Sequence, residues 1–248
     1  MVTLKSDREL KLMREAGRIV AIVLAEMQAL ARPGVTTQAL NDRAEQMIRK
    51  MGATPSFKGY HGYPASICTS VNEQIVHGIP GKRVLQEGDI LGVDVGTIYK
   101  GYQGDAAITL PIGTVSEEAL RLVETTKGAL EAGIAQARAG LHTGNISAAI
   151  QHFAESRGYS VVREYTGHGI GRQMHEDLQI PNFGRAGTGP GLKPGMTFAL
   201  EPMVNLGTWK TRVLEDLWTV VTGDGRLSAH FEHTVAVTEG EPLILTLP

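Results

Sequence analysis

At 248 residues, 42% hydrophobic and 20% charged, the chain has the composition of an ordinary globular protein, sized for one large domain or two small ones. A formal net charge of −2 and the lack of any Lys/Arg run argue against a polyanion-binding surface, and a single cysteine, Cys68, excludes an intramolecular disulfide framework. Lys5, Asp7 and Arg8 precede any apolar run, so no secretory signal is expected, and the longest such run, Ile19 to Ala25, is far short of the ~20 residues a membrane span needs; the expected compartment is a reducing one, the cytoplasm.

In chain order, Ser6-Asp7-Arg8-Glu9 is a capping box that opens a helix. Its apolar positions Leu10, Met13, Ile19, Val20, Val23, Met27 and Leu30 suit one buried face. Arg32-Pro33-Gly34 ends it, and Thr37 is placed to cap a second helix from about Gln38 to Lys50, closed by Gly52.

From Asp89 to Leu110 the residues are apolar and β-branched on both sides of a turn that ends at Gly101, which reads as a hairpin. Each strand carries one aspartate in apolar company, Asp94 and Asp105. The two would face each other across a two-residue loop at Tyr99-Lys100, a poor pair for such a loop; Gly101 suggests a bulge instead, and the register stays open. A carboxylate buried alone costs several kcal/mol and would normally protonate. Either the aspartates cap a turn and face solvent, or a cation lies between them.

The second half repeats the first. Ala-Arg-Ala-Gly-Leu-His-Thr at 137–143 matches Ala-Arg-Pro-Gly-Val-Thr-Thr at 31–37, with Gly34, Thr37, Leu40 and Gly52 meeting Gly140, Thr143, Ile146 and Gly158 at an offset of 106. Leu85, Gly88 and Asp94 then meet Leu192, Gly195 and Glu201, one position later. Two helices, a turn and a strand carrying a carboxylate thus occur twice, in halves of roughly 6–110 and 112–240. The expectation is an α+β fold of two pseudo-symmetric ααβ halves, with a central antiparallel sheet lining a cleft and helices outside. No Pro/Ser-rich linker separates the halves, so residues 1–248 are expected to form a single domain.

Three further strands are expected. Met196 to Asn205 is apolar around Glu201, Leu217 to Val221 precedes a turn at Gly223-Asp224-Gly225, and His230 to Val237 alternates around Glu232. Four acids, two from each half, therefore sit in strands that otherwise read as core. The histidine best placed to join them is His168, in Gly167-His168-Gly169-Ile170-Gly171, where glycines would let the chain bend sharply around the imidazole; the bland reading is a loop histidine beside turn glycines. Neither a Rossmann nor a Walker glycine spacing is present, and His175-Glu176 lacks the second histidine of a thermolysin-type zinc site. Four carboxylates and one imidazole make a hard donor set suited to two divalent cations sharing bridging carboxylates, the equipment of a hydrolase.

Asp94, Asp105, Gly167-His168-Gly169-Ile170-Gly171-Arg172, His175-Glu176, Glu201-Pro202 and Glu232-His233-Thr234, with Tyr60-His61-Gly62-Tyr63-Pro64 and Val76-His77-Gly78-Ile79-Pro80, resemble the type I methionine aminopeptidases from about Ser6 to the end of the chain. The resemblance implies the pita-bread fold and removal of the N-terminal methionine from peptides and nascent chains, with a small second residue preferred. It implies Asp94, Asp105, His168, Glu201 and Glu232 as ligands of two divalent ions (Co, Mn, Fe or Zn), with Asp105 and Glu232 bridging. It further implies Glu201 as proton carrier, His175 as oxyanion donor and His77 at the scissile amide. Tyr60, Tyr63, Cys68 and Trp218 would form the methionine pocket, whose aromatic and sulfur-containing walls suit a thioether chain. Contact with the ribosome would be transient. Met174, Leu178, Phe57 and Gln103 depart from residues common in the family, which bears on pocket shape. The competing readings are an X-Pro dipeptidase or aminopeptidase of the same fold, and a metal-free relative acting as a binding scaffold.

Overall fold

The computed structural model describes residues 2–248. In the first half, α1 (Asp7–Leu30) and α2 (Thr37–Lys50) lead into β1 (Thr54–Pro55), β2 (Cys68–Val71), β3 (Gln74–Val76) and the hairpin β4 (Ile90–Tyr99) and β5 (Tyr102–Pro111). In the second, α3 (Glu117–Ile134) and α4 (Thr143–Glu155) lead into β6 (Ser160–Val161), β7 (Thr166–Gly169), β8 (Glu176–Pro181), β9 (Thr197–Leu200) and β10 (Met203–Asn205). The chain finishes with β11 (Thr211–Val213), β12 (Val220–Thr222), β13 (Ser228–His230), β14 (Glu232–Ala236) and β15 (Leu243–Ile244).

The capping box at Ser6 and Glu9 forms as read, and Met13, Ile19, Val20, Val23 and Met27 of α1 are buried. The second cap lies one residue earlier than the sequence suggests. Thr36, not Thr37, accepts from the Ala39 amide, and the Thr37 hydroxyl instead bonds Gly81 in both directions. Leu217 is 82% exposed at a left-handed φ of 65°, so the strand expected over 217–221 begins only at Val220. The Asp216 carboxylate accepts from the amides of Trp218 and Thr219 and organises that loop as a turn.

The helices of each half pack on the sheet with a core of their own. Val93, Val95, Ala106 and Leu110 meet α1 and α2 residues such as Val20, Val23 and Leu40, while Phe198, Leu200 and Val235 meet Leu122, Leu130 and Ile150 of α3 and α4. The repeated sequence makes repeated hydrogen bonds. Gly34 N to Leu85 O (2.9 Å) is matched by Gly140 N to Leu192 O (3.1 Å), and Thr37 N to Arg83 O (3.0 Å) by Thr143 N to Pro190 O (3.0 Å). The main sheet has the same symmetry. Along β2-β4-β5-β14-β9-β7 every neighbour is antiparallel, and the β5–β14 pair stands at the centre, one strand from each half.

That centre positions the site. The β4–β5 loop is Lys100-Gly101, with φ of 47° and 81°, the two left-handed residues of a type I′ turn. No bulge forms. Asp94 therefore pairs with Ala107 and Asp105 with Gly96, so the aspartates lie diagonally on one face rather than directly opposite.

Candidate metal centre and substrate cavity

Because direct partners in an antiparallel sheet share a face, the register builds two adjoining rows of side chains. In the first, Cys68 pairs with Asp94, Asp94 with Ala107, and Ala107 with Glu232. In the second, Gly96 pairs with Asp105, Thr234 with Ala199, and Ala199 with His168. The Thr234 hydroxyl joins the two parts of this second row: it accepts from the Asp105 amide (3.0 Å) and donates to the Asp105 carbonyl (2.8 Å). Small residues, Ala107 and Ala199, separate the acids and the imidazole and leave space above the sheet. The opposite face of the same strands is the helix-packed core. One strand pattern thus supplies both layers.

Glu201 stands just past β9, before Pro202. Its Oε1 is 3.6 Å from His168 Nε2, and Asp105 Oδ2 is 3.9 Å from the same nitrogen. One ligand atom each from Asp105, His168 and Glu232 lie within 4.8 Å of one another. Asp94 Oδ1, Asp105 Oδ1 and Glu232 Oε1 are buried with no hydrogen-bond partner. Burial pushes the Asp94 carboxyl up to about 7, while a bond from Asp105 partly offsets it. Asp105, Glu201 and Glu232 are driven well above the ordinary carboxylate range by burial first and by neighbouring carboxylate charge second, that of Asp94 acting on all three. Burial holds the His168 imidazole neutral, down to about 3. Acceptor oxygens without donors, mutually repelling, beside an imidazole that brings no charge: these atoms fit divalent cations in kind and number.

These five residues line one cavity of about 440 Å³ together with Tyr60, Tyr63, Cys68, His77, His175 and Trp218. Every residue expected at the site is therefore brought to it. Tyr63 is buried, donates to the carbonyls of Ile67 (3.2 Å) and Gly78 (3.0 Å), and packs edge-on to Trp218 at 5.1 Å. Cys68 is buried beside Asp94, and burial raises its thiol so that it stays protonated. Tyr60 Oη lies 2.7 Å from His175 Nδ1, and the His175 ring packs on His168 at 4.1 Å. His77 adopts a left-handed φ of 60° and stands edge-on to Tyr165. Burial lowers its imidazole to about 4.

The structure corrects two readings and adds one residue. His168 is not in a glycine-bent loop: it lies in β7, and Gly167, Gly169 and Gly171 have no left-handed φ. Those glycines permit close approach; a Cβ at Gly167 would stand 2.5 Å from the Ala199 carbonyl. Of the four departures, Phe57 and Met174 line the cavity, whereas Leu178 belongs to the α3–α4 core and Gln103 is a buried acceptor for Ser56 (2.6 Å). Only the first two can shape the pocket directly. The added residue is His230. It is 3% exposed, its Nε2 has no partner, and that atom is 3.7 Å from Glu201 Oε2. The available signal was its spacing: residues 230 and 232 of an alternating run share a face.

Residues 11–239 match the model of metallopeptidase family M24. The chain is 53% identical over 248 residues to a methionine aminopeptidase of Clostridium acetobutylicum, covering 100% of this chain and 99% of that one. It is 52% identical over 246 residues to methionine aminopeptidase 1 of Bacillus subtilis, covering 99% of each. The crystal structure of a methionine aminopeptidase from Thermotoga maritima superposes with a TM-score of 0.99 at 45% identity, covering 100% of both chains.

Proposed function

Because the chain belongs to metallopeptidase family M24, we propose that it is a metal-dependent aminopeptidase that removes the N-terminal methionine from peptides and nascent proteins, preferring a small second residue. The observation that carries this is the cluster of unpartnered buried carboxylate oxygens on Asp94, Asp105 and Glu232, facing an apolar, sulfur-lined cavity. Asp94, Asp105, His168, Glu201 and Glu232 would hold two divalent ions, Co, Mn, Fe or Zn. Bound there, such ions polarise a carbonyl and lower the pKa of water.

The protein's own groups then divide the remaining work. Tyr63, Cys68 and Trp218 receive the methionine side chain, and the ring of Tyr60 closes the pocket. Glu201, beside the ion-binding side next to His168, accepts the proton of the attacking water and passes it on. Tyr60 donates to Nδ1 of His175, which leaves the proton of that neutral ring on Nε2, available to the developing oxyanion. His77 bonds the scissile amide and its leaving nitrogen. Residues 1–248 act as one catalytic unit, since both halves contribute acids to one site. No helix among the described residues is long and apolar enough to cross a membrane, and the proposed working place is the cytoplasm, with transient ribosome contact delivering nascent N-termini.

The test is release of free methionine from Met-Ala-Ser, compared with cleavage of an X-Pro dipeptide, in chelator-stripped and metal-restored protein. Methionine release that returns with metal is expected. Cleavage of the X-Pro bond alone would assign the site to the prolidase reading, and metal-independent inertness to both substrates would leave a binding scaffold.

A further inference from the structure

Glu201 stands between two imidazoles, one on each oxygen. His168 Nε2 is 3.6 Å from Oε1, and His230 Nε2 is 3.7 Å from Oε2. His168 belongs to the donor set already described. His230 does not, and no step above uses it.

His230 is built in rather than incidental. Its side chain is 4% exposed, and Nε2 is a buried polar atom with no hydrogen-bond partner. Its backbone is pinned from the other half of the fold: Thr109 Oγ1 accepts from the His230 amide (2.9 Å) and donates to its carbonyl (2.8 Å). β10 holds it from a second side, Met203 pairing with His230. The neighbouring imidazole, His233, is satisfied elsewhere, on Thr246 Oγ1 at 2.8 Å. A ring nitrogen fixed this way can find a partner only if the partner comes to it. The Glu201 carboxylate lies past the end of β9, and a shift of less than 1 Å closes 3.7 Å to an ordinary hydrogen bond.

We propose that His230 is the positioning residue for Glu201: its Nε2–H donates to Oε2, which turns Oε1 toward the ion-binding side next to His168 and fixes the carboxylate that accepts the water proton. Ligating carboxylates elsewhere depend on such outer partners for orientation and affinity. The inference rests on the metal-peptidase reading.

The experiment uses the full chain. The His230 ring is observed by 15N–1H correlation in wild-type protein before and after addition of Zn(II), with Mn(II) affinity by calorimetry and steady-state kinetics on Met-Ala-Ser for the wild type, His230→Leu and His230→Gln. A proton on Nε2, protected from exchange once Zn(II) is bound, is expected. His230→Leu should bind Mn(II) about 10–100-fold more weakly at one site and lose kcat to a similar degree at saturating Mn(II), with KM little changed. His230→Gln keeps an N–H donor and should recover most of both. An unprotonated Nε2 in the Zn(II)-loaded wild type overturns the proposal, as does a folded His230→Leu with wild-type affinity and kcat. If His230→Leu does not fold, the wild-type ring signal alone decides. Loss of the peptidase reading would show instead as no methionine release from the wild type, with the Zn(II)-dependent ring signal unaffected.

Discussion

The phenol of Tyr60 lies 2.7 Å from Nδ1 of His175, and the two rings stack with 28° between their planes. A residue read from sequence as a wall of the methionine pocket is therefore also hydrogen-bonded to a neighbouring imidazole, and in the proposed reaction its O–H donates to Nδ1 and sets that ring's tautomer. Tyr60→Phe keeps the ring and removes only the donor. A neutral hydrogen bond is worth ~1 kcal/mol, so kcat should fall roughly 5- to 10-fold with KM nearly constant. The 15N shifts of the His175 ring should move from one tautomer toward a mixture. A rise in KM alone would make Tyr60 a pocket wall and nothing more.

His77→Ala separates metal binding from chemistry. His77 lines the cavity but is not one of the five proposed ligands, and burial keeps its ring neutral, down to about 4. Metal content measured by atomic absorption should match the wild type, while kcat drops by about 10²–10³. Unaltered kinetics would leave His77 a turn residue in strained backbone.

The metal-free protein should lose stability as pH rises above about 6.5. The four carboxyls have folded pKa values raised from 3.8 or 4.5, Asp94 to about 7 and the others well up, so the folded state holds protons that the unfolded chain has already released. Such groups favour folding at low pH and withdraw that support as pH passes through their folded values. His77, His168 and His230 act in the opposite sense, since burial drops them from 6.5 to about 4, 3 and 3, and they oppose folding only below 6.5. Between about pH 4 and 6.5 the two slopes offset; above it only the carboxyl slope remains. Thermal melts of chelator-treated protein from pH 6.5 to 8 should show a falling Tm, restored by saturating Mn(II). A flat profile without metal would mean that the acids are paired in some other way.

α1 crosses β5 at two glycines. A Cβ on Gly17 would stand 2.2 Å from the Leu245 carbonyl oxygen, and one on Gly104 would stand 2.6 Å from the Gly17 nitrogen. In an exposed helix interior Gly→Ala stabilises by up to ~1 kcal/mol, but forcing a methyl against backbone costs about 1–3 kcal/mol. The clash should win: Gly17→Ala is expected to lower the urea midpoint, with the slope unchanged. A higher midpoint would show that the C-terminal segment yields freely.

Much of this was legible from one dimension. The capping box at Ser6, the buried face of α1 and the 106-residue echo of Gly34 in Gly140 depend on local chemistry and on matched patterns, and they survive folding because each half buries its helices in the same way. The four acids of the proposed metal set are visible because charge in an apolar strand has no local excuse, and His168 is visible by its glycine-rich surroundings. What needed the fold was register and distance. Sequence left open whether Gly101 made a bulge; in the structure Lys100 and Gly101 both take left-handed φ, and that moves Asp105 opposite Gly96, diagonal to Asp94. His230 shows only a spacing in the sequence, for a related reason: its significance is 3.7 Å to Glu201, a residue 29 positions earlier that only the pairing of β10 with β13 brings near. Residue type and spacing are properties of the chain, and they determined which groups must be hidden together. Which oxygen faces which nitrogen is decided by strand pairing, because a shift of one residue turns every side chain to the opposite face.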